Sequence, residues 1–252
     1  MHGRHALITG GGSGIGAAIA RRLADAGASV SLAGRRREAL QKVAADLAGA
    51  ATIVADVTLE ADADAMVEGA RAANGPIDMV IANAGAAESA PLTKLDFDHW
   101  QRMLAVNLTG AFLTVRAALP DLLRWDARLP RIVFIASTAG IKGYAYAAAY
   151  CAAKHGVVGL ARALAAELAP GRITVNAVCP GFTETPLLAA SLAKIVAVTG
   201  RRQQEARAEL IGFNPQGRFL EPAEVAATVL FLCSSEAQAI TGQAISVSGG
   251  EV

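Results

Sequence analysis

Short, continuously apolar runs alternate along the chain with longer segments in which apolar residues recur at helical spacing. Seven runs are predicted strands, at residues 6–8, 29–33, 52–55, 79–82, 131–136, 173–178 and 244–247. Five segments are predicted helices, at residues 15–26, 36–47, 62–73, 97–119 and 147–168. Because the strands are apolar throughout rather than alternating, they fit a parallel sheet that is covered on both faces.

This order of elements predicts an α/β protein: a single Rossmann-like, doubly wound domain over residues 1–252, with helices on both faces of the sheet. The segment 187–213 is weakly patterned and follows the sixth strand, so it falls at the carboxyl edge of the sheet, where ligands bind in such folds. We therefore expect a mobile substrate lid around residues 183–214. The alternative is a surface excursion without a role.

Composition narrows the functional classes. A net charge of +1 suggests neither a nucleic-acid partner nor an anionic membrane. The 53% apolar content is raised by alanine, and no uninterrupted apolar run approaches the ~18 residues of a spanning helix. Three distant cysteines and a start without a secretory-signal pattern favour the cytoplasm. The histidines lack metal-ligand spacing, so no metal is expected.

A glycine-rich turn, T-G-G-G-S-G-I-G at residues 9–16, lies between the first strand and the first helix. Such a turn lets the backbone approach a pyrophosphate, while the helix N-terminus offers free N–H groups and a positive dipole end. The spacing differs from the commoner G-x-G-x-x-G, and a flexible turn without a ligand is the alternative. The predicted dinucleotide contacts are Gly10, Gly12, Ser13, Gly14, Ile15 and Gly16.

The end of the second strand bears on cofactor choice. It reads Gly34-Arg35-Arg36-Arg37, without the carboxylate that usually binds the ribose of NAD there. Arginine pairs with a 2′-phosphate in forked geometry, so we favour NADP(H), with NAD(H) still possible, and assign Arg35 and Arg36 to the phosphate. A solvated basic helix start is the alternative.

Asp56 and Val57 follow the third strand and are further predicted cofactor contacts. Asp56 could accept a hydrogen bond from the adenine amino group. It could equally cap its own loop, and the sequence does not choose between these two roles.

Tyr150 and Lys154 are four residues apart on a predicted helix and share a face. A tyrosine pKa is ordinarily near ~10, and a nearby ammonium or an oxidised nicotinamide favours the phenolate. Tyr150 could then give a proton to a carbonyl oxygen or take one from an alcohol, with Ser137 hydrogen-bonded to the same oxygen. Asn107 could disturb its helix and anchor a water near the lysine. Singly, Y-x-x-x-K is common on helices and Ser137 could be a cap.

Together, these motifs resemble the short-chain dehydrogenase/reductase family over essentially the whole chain. The resemblance rests on the glycine turn, Asn83-Ala84-Gly85, Asn107, Ser137, Y-C-A-A-K at 150–154 and P-G-F-T-E-T at 180–185. Ala82 and Thr183 depart from the family's usual asparagine and apolar residue. The resemblance implies hydride transfer between a nicotinamide and a ketone or secondary alcohol, a catalytic tetrad and a homotetramer with helices 97–119 and 147–168 at one interface. The tetrad would be Asn107, Ser137, Tyr150 and Lys154.

The resemblance also implies further cofactor contacts. Tyr150 lies at the nicotinamide, and Lys154 would also bind its ribose. Asn83, Ala84 and Gly85 would support the sheet near the adenosine. The segment after the sixth strand would contact the nicotinamide carboxamide and the phosphates through Pro180, Gly181, Thr183 and Thr185.

Residues 132–181 most resemble members that reduce 3-oxoacyl or polyketide thioesters, so a coenzyme A or carrier thioester is a candidate substrate. The predicted substrate contacts are mostly apolar: Ser137, Ala139, Ile141, Tyr144, Tyr150, Phe182 and Leu187. Lid arginines 201, 202 and 207 either meet a charged substrate or form a solvated face. The competing functions are an NAD-dependent dehydrogenase of small or aromatic secondary alcohols and a non-catalytic cofactor-binding regulator.

Overall fold

The computed structural model describes residues 1–124 and 128–252. Within them seven strands form one parallel sheet in the order β3-β2-β1-β4-β5-β6-β7. The strands are β1 (His5–Thr9), β2 (Ser29–Gly34), β3 (Ala51–Val54), β4 (Met79–Ala82), β5 (Arg131–Ile135), β6 (Thr174–Pro180) and β7 (Ala244–Val247). The helices are α1 (Gly14–Asp25), α2 (Arg37–Ala44), α3 (Glu60–Asn74), α4 (Phe97–Leu104), α5 (Gly110–Leu122), α6 (Ala148–Leu168), α7 (Pro186–Thr199), α8 (Gln203–Ile211) and α9 (Pro222–Cys233).

The apolar strands are explained by two hydrophobic cores, one on each face of the sheet. Along β1, Leu7 packs into one core, whereas Ala6 and Ile8 pack into the other, and all three are fully buried. Each face of a central strand is covered, so neither set of alternating positions can be polar. The predicted doubly wound α/β fold is confirmed.

The strand order reverses beside β1. The chain runs from β1 outward to β3 on one side, then crosses back to β4 on the other side of β1. At such a switch point the loops leaving two adjacent strands diverge and open a crevice at their carboxyl ends. The loops that leave β1 and β4 here are the glycine turn and Asn83-Ala84-Gly85.

No helix was predicted in the weakly patterned segment 187–213, yet α7 and α8 occupy most of it. Thr185 caps α7 by accepting a hydrogen bond from Leu188 N, and Gly200 ends the helix in the left-handed conformation. Apolar residues occur on every side of α7, so no amphipathic period marks it. Helix α9 was not predicted for the same reason. It carries a capping box, in which Glu221 and Glu224 satisfy each other's backbone N–H groups.

The long helix predicted over 97–119 is interrupted. Residues Ala105–Thr109 form a π-helical segment between α4 and α5, in which Gly110 N donates to Ala105 O five residues back. Asn107 lies inside this segment, where the sequence led us to expect a local disturbance of the helix. The π turn inserts one extra residue and widens the backbone at that point.

The stretch Phe97–Leu122 is long and apolar enough, by composition, to cross a membrane, and its most apolar 18-residue part has a mean hydropathy of 1.3. Of its most apolar part, 44% is buried inside the protein. It packs against α3, α6 and β4, as a core helix does.

Gly16→Ala is expected to destabilise the fold. A Cβ there would overlap the carbonyl oxygen of Gly10 and lie 2.6 Å from Asn83 Nδ2. Both neighbours belong to the turns that form the crevice, so the strain should cost about 1–3 kcal/mol. The measurement is the free energy of unfolding in urea.

The matched control is Gly69→Ala within α3, where the nearest side-chain atom to a new Cβ, from Ile53, is 3.5 Å away. It should be neutral or raise stability by about 0.5–1 kcal/mol. Equal stabilities for the two variants would contradict the packing argument.

Candidate active site

The glycine turn presents an open helix N-terminus. Gly10 and Gly14 have positive φ values of 66° and 53°, and α1 begins at Gly14. Ser13 makes no side-chain cap, and the first turn of α1 has no acidic residue. The first N–H groups therefore remain available to an anion. Gly12 lies against α2 near Ala39, and Ile15 packs on a core. The turn fits a pyrophosphate.

Two exposed arginines border this turn. Arg36 Nη2 donates to Ser13 Oγ at 3.3 Å, so its guanidinium reaches the glycine turn from the start of α2. Arg35 Nη1 lies 3.9 Å from the Asp56 carboxylate, and its side chain is 75% exposed. Both arginines thus occupy the end of β2 predicted for the adenosine side.

Asp56 acts as a cap of its own loop. Its Oδ1 accepts hydrogen bonds from Thr58 N at 3.0 Å and from Thr58 Oγ1 at 2.8 Å. The Thr58 backbone hydrogen bond lowers the pKa of Asp56. One carboxylate oxygen, Oδ1, therefore caps the loop, as one of the two alternatives expected, whereas the other oxygen, Oδ2, faces Arg35. Val57 is buried and packs against Gly110 at the start of α5.

Thr9 ties the ends of β1 and β4 together, and this residue was not singled out from the sequence. Its Oγ1 accepts hydrogen bonds from Asn83 N and Ala84 N, both at 3.1 Å. Asn83 Nδ2 returns a bond to Thr9 O at 2.9 Å. The only available signal was its place directly before the glycines. Asn83 and Ala84 thus support the sheet, and Gly85 continues toward the catalytic candidates.

Gly85 separates Asn107 from Lys154. A Cβ at Gly85 would lie 2.8 Å from Asn107 Oδ1 and 3.7 Å from Lys154 Nζ. Asn107 is buried; its Oδ1 accepts from Ala86 N, and its Nδ2 donates to Ala86 O and Met103 O. Asn107 therefore fixes the loop after β4, and the absence of a side chain at 85 keeps the two polar groups close.

Lys154, Tyr150 and Ser137 form the other half of the cluster. Lys154 Nζ donates to Ile135 O at 2.8 Å and lies 5.7 Å from the centre of the Tyr150 ring. Ser137 Oγ accepts from Ala139 N at 3.1 Å, which is the cap anticipated as an alternative, and its hydroxyl also hydrogen-bonds Tyr150. The four predicted residues come from three separate elements and meet at the carboxyl edge of the sheet.

Burial dominates the protonation of the pair. It raises the pKa of Tyr150 to about 12, and the hydrogen bond from Ser137 opposes this only partly. Burial also lowers the pKa of Lys154 to about 8. The pKa of Tyr150 is thus raised by desolvation, and the expectation that an ammonium and an oxidised nicotinamide together favour the phenolate stays a prediction for the cofactor-bound protein. At neutral pH Tyr150 is therefore a protonated donor.

The segment after β6 meets the glycine turn. Gly181 N donates to Val247 O at 3.0 Å, which extends the pairing of β6 with β7 by one residue beyond Pro180. Thr183 Oγ1 donates to Gly181 O, and Thr185 Oγ1 donates to Thr183 O. A Cβ at Gly14 would lie 3.0 Å from the Thr185 methyl carbon. These threonines therefore border the crevice while their hydroxyl hydrogens are held by backbone oxygens.

The predicted substrate side carries an aromatic wall, which we define as Tyr144, Phe182 and Phe213. Their ring centroids are 5.5–6.0 Å apart. Phe213 was missed because it lies far along the chain with no motif. Ala139 is buried, whereas Ile141 and Leu187 are 40% and 43% exposed. The Tyr144 hydroxyl hydrogen-bonds Thr138 Oγ1 and Glu251 Oε1, and burial raises its pKa.

Each of the three arginines in the predicted lid pairs with a carboxylate. Arg201 pairs with Glu209, Arg202 with Glu205, and Arg207 with Glu184, and Arg207 also lies over the Phe219 ring. Their charges are balanced within the segment, which agrees with the solvated-face alternative. In the part of the chain that the structure describes, no group of three or more His, Cys, Asp or Glu side chains could hold a metal ion.

A dinucleotide-type crevice beside a tyrosine, lysine and serine defines an oxidoreductase of the nicotinamide class. The chain belongs to the short chain dehydrogenase family, whose model matches residues 4–195. The resemblance inferred from the motifs is confirmed.

Three similar proteins, one named as a dehydrogenase and two as reductases, illustrate the range of activities among the relatives of this chain. The chain is 39% identical over 252 residues to cis-4-hydroxycyclohexanecarboxylate dehydrogenase of Sinomonas cyclohexanicum, covering 98% of this chain and 96% of that one. It is 36% identical over 256 residues to a 3-oxoacyl-(acyl-carrier-protein) reductase of Aquifex aeolicus, covering 99% and 98%. The crystal structure of a variant actinorhodin polyketide ketoreductase with NADPH has a TM-score of 0.93 at 37% identity, covering 98% and 97%. The predicted NAD(P)-dependent exchange between ketones and secondary alcohols is thereby confirmed.

Lys154→Met should change how stability depends on pH. The unfolded lysine has a pKa of 10.5 and the folded one about 8, so between these values the unfolded chain binds more protons. Stability from this group therefore rises with pH across that window and is lowest below it, by about 3 kcal/mol. The variant lacks this penalty, so its stability relative to the natural protein should be greatest at pH 7 and decline toward pH 10. Denaturation of cofactor-free protein tests this.

Lys42→Met, on the exposed surface of α2, serves as the control and should show no such trend. A stability difference for Lys154→Met that stays constant from pH 7 to pH 10 would contradict the depressed lysine pKa.

Proposed function

We propose that this protein reduces the ketone of 3-oxoacyl thioesters, or of related apolar 3-oxo compounds, with NADPH. The observation that carries the proposal is the meeting of Ser137, Tyr150 and Lys154 beside an aromatic wall. Support for the substrate class comes from that wall, from the similarity to the Aquifex reductase and from the polyketide ketoreductase structure.

The residues have distinct roles in this proposal. Ser137 donates a hydrogen bond to the substrate carbonyl oxygen and holds it. Tyr150, protonated at neutral pH, gives its proton to that oxygen as the carbon is reduced. When bound, the reduced nicotinamide supplies the hydride. Lys154 binds its ribose, and Asn107 keeps the loop after β4 in place. The pyrophosphate lies at the N-terminus of α1, near Gly10, Gly12, Gly14 and Gly16.

Assembly, location and the lid are further parts of the proposal. We propose a homotetramer in the cytoplasm, with α4, α5 and α6 at one interface and residues 183–214 as a lid. Phe97 on α4 is 69% exposed and Phe112 on α5 is 42% exposed. Such apolar side chains on neighbouring helices are suited to burial by a second subunit.

The second candidate function is an NAD-dependent dehydrogenase of small or aromatic secondary alcohols. It is favoured by the similarity to the cyclohexanecarboxylate dehydrogenase and by the same aromatic wall. A non-catalytic regulator has less support, because it has no need of Ser137, Tyr150 and Lys154 in one cluster.

Tyr150→Phe should lower kcat for ketone reduction by about 10²–10⁴-fold, because it removes the proton donor. NADPH affinity should change little, since the phenyl ring keeps its place. NADPH absorbance with 3-oxoacyl thioesters, and NADPH titration by fluorescence, measure the two effects. The control is Tyr146→Phe, whose side chain is 66% exposed. Undiminished turnover in Tyr150→Phe would refute the assigned proton donor.

Replacing both Arg35 and Arg36 by alanine should raise the KM for NADPH by about tenfold or more, since charge-assisted hydrogen bonds contribute about 1.5–3 kcal/mol. The KM for NADH should change little, because NADH has no 2′-phosphate. Arg37→Ala, on the first residue of α2, is the matched control. A parallel loss with both cofactors, or natural protein that prefers NADH, would overturn the arginine assignment.

A further inference from the structure

A buried carboxylate lies behind the aromatic wall. The Glu251 side chain is only 1% exposed; its Oε1 lies 3.0 Å from Lys142 Nζ in an ion pair and accepts a hydrogen bond from the Tyr144 hydroxyl. Its Oε2 is buried and has no hydrogen-bond partner among the described residues. A Cβ at Gly181 would lie 3.0 Å from Oε2, so the carboxylate fills the space that the glycine leaves.

Lys142 is the less buried partner of this carboxylate. Its side chain is 33% exposed, and its ammonium lies 5.1 Å and 5.5 Å from the ring centres of Tyr144 and Phe213. An ammonium has three N–H donors, and the ion pair with one Glu251 oxygen engages at most one of them. Lys142 therefore keeps donors for a ligand held against the aromatic wall.

The Lys142–Glu251 pair is connected to the reacting end of the site. Thr138 directly follows Ser137, and its Oγ1 lies 2.6 Å from the Tyr144 hydroxyl. That hydroxyl in turn donates to Glu251. Tyr144 therefore links the pair to the segment that holds Ser137, and Phe182 packs against the ring of this tyrosine.

The two charges do not act equally on a substrate. The carboxylate is almost completely buried, so solvent and salt screen it weakly, whereas the more exposed ammonium is screened more strongly. A carboxylate on the substrate would meet the field of Glu251 and would compete with it for Lys142. A neutral carbonyl oxygen can accept from Lys142 without that repulsion.

We infer that the Lys142–Glu251 pair determines specificity by substrate charge: it admits neutral 3-oxo esters and thioesters and discriminates against free 3-oxo acids. Glu251 supplies the repulsion and Lys142 the donor. This inference rests on the proposed ketone reduction and narrows its substrate class.

The test compares two substrates of the same acyl chain, ethyl 3-oxobutanoate and 3-oxobutanoate, in the full-length protein with NADPH. In Glu251→Gln the ratio of kcat/KM for the acid to that for the ester should rise by about tenfold, mainly through KM, because one buried negative charge is lost. Glutamine keeps the shape and an acceptor for Tyr144. In Glu251→Gln combined with Lys142→Met, the gain should disappear.

The control is Glu209→Gln, a carboxylate in an exposed ion pair of the lid, which should leave the ratio unchanged. Melting temperatures show whether each variant is folded. An unchanged ratio in Glu251→Gln would overturn the inference. An equal loss of kcat/KM for both substrates is one form of this outcome, and it would mean that Glu251 contributes packing alone.

A second readout does not depend on turnover. Titration calorimetry measures the affinities of butanoate and ethyl butanoate, which lack the ketone, for the protein with NADPH. The affinity ratio of acid to ester should rise by about tenfold in Glu251→Gln. If the natural protein reduces neither 3-oxo compound, the proposed function fails, and this ratio alone decides the charge preference: a rise supports it and no change overturns it.

Discussion

The hydrogen bonds around Thr9 hold the carboxyl ends of β1 and β4 together, and both halves of the site depend on them. On the β1 side they set the start of the glycine turn. On the β4 side they position Asn83 and Ala84, so that Gly85 passes between Asn107 and Lys154. Since these strands lie at the switch point of the sheet, one hydroxyl couples the predicted nucleotide crevice to the predicted proton donor.

Desolvation gives the candidate active site its chemical character. Tyr150 and Lys154 are driven toward their neutral forms by the same surroundings, although one is an acid and the other a base. Raising the tyrosine pKa leaves one charge to bury at neutral pH instead of two, because Lys154, with a pKa of about 8, is still mostly protonated there. It also leaves the tyrosine as a proton donor at physiological pH, which suits the reductive direction.

Much of the fold could be predicted because the strands are buried on both faces, and burial leaves a continuous apolar run in the sequence. The catalytic candidates could be found because the glycine turn, Ser137 and the tyrosine–lysine pair have local spacing. Helices α7 and α9 could not, since a helix that is apolar on every side has no period to detect. The Lys142–Glu251 pair was also hidden, because its residues are far apart in sequence and belong to no motif.

Protonation was the other property that the sequence could not settle. The spacing of Tyr150 and Lys154 indicates proximity and therefore suggested an attraction that lowers the tyrosine pKa. The structure adds desolvation, which acts in the opposite direction and raises the tyrosine pKa. For Asp56 the sequence allowed two roles, and only the position of Thr58 shows that one oxygen already caps the loop.

The π-helical segment at Ala105–Thr109 means that the length of this helix matters as much as its composition. One surplus residue turns everything after it by about 100° relative to an uninterrupted α-helix. Deleting a single residue from the segment would rejoin α4 and α5 in register, yet it would point either Asn107 or the apolar face of α5 in the wrong direction. The number of residues in this segment therefore constrains the site as strongly as their identity does.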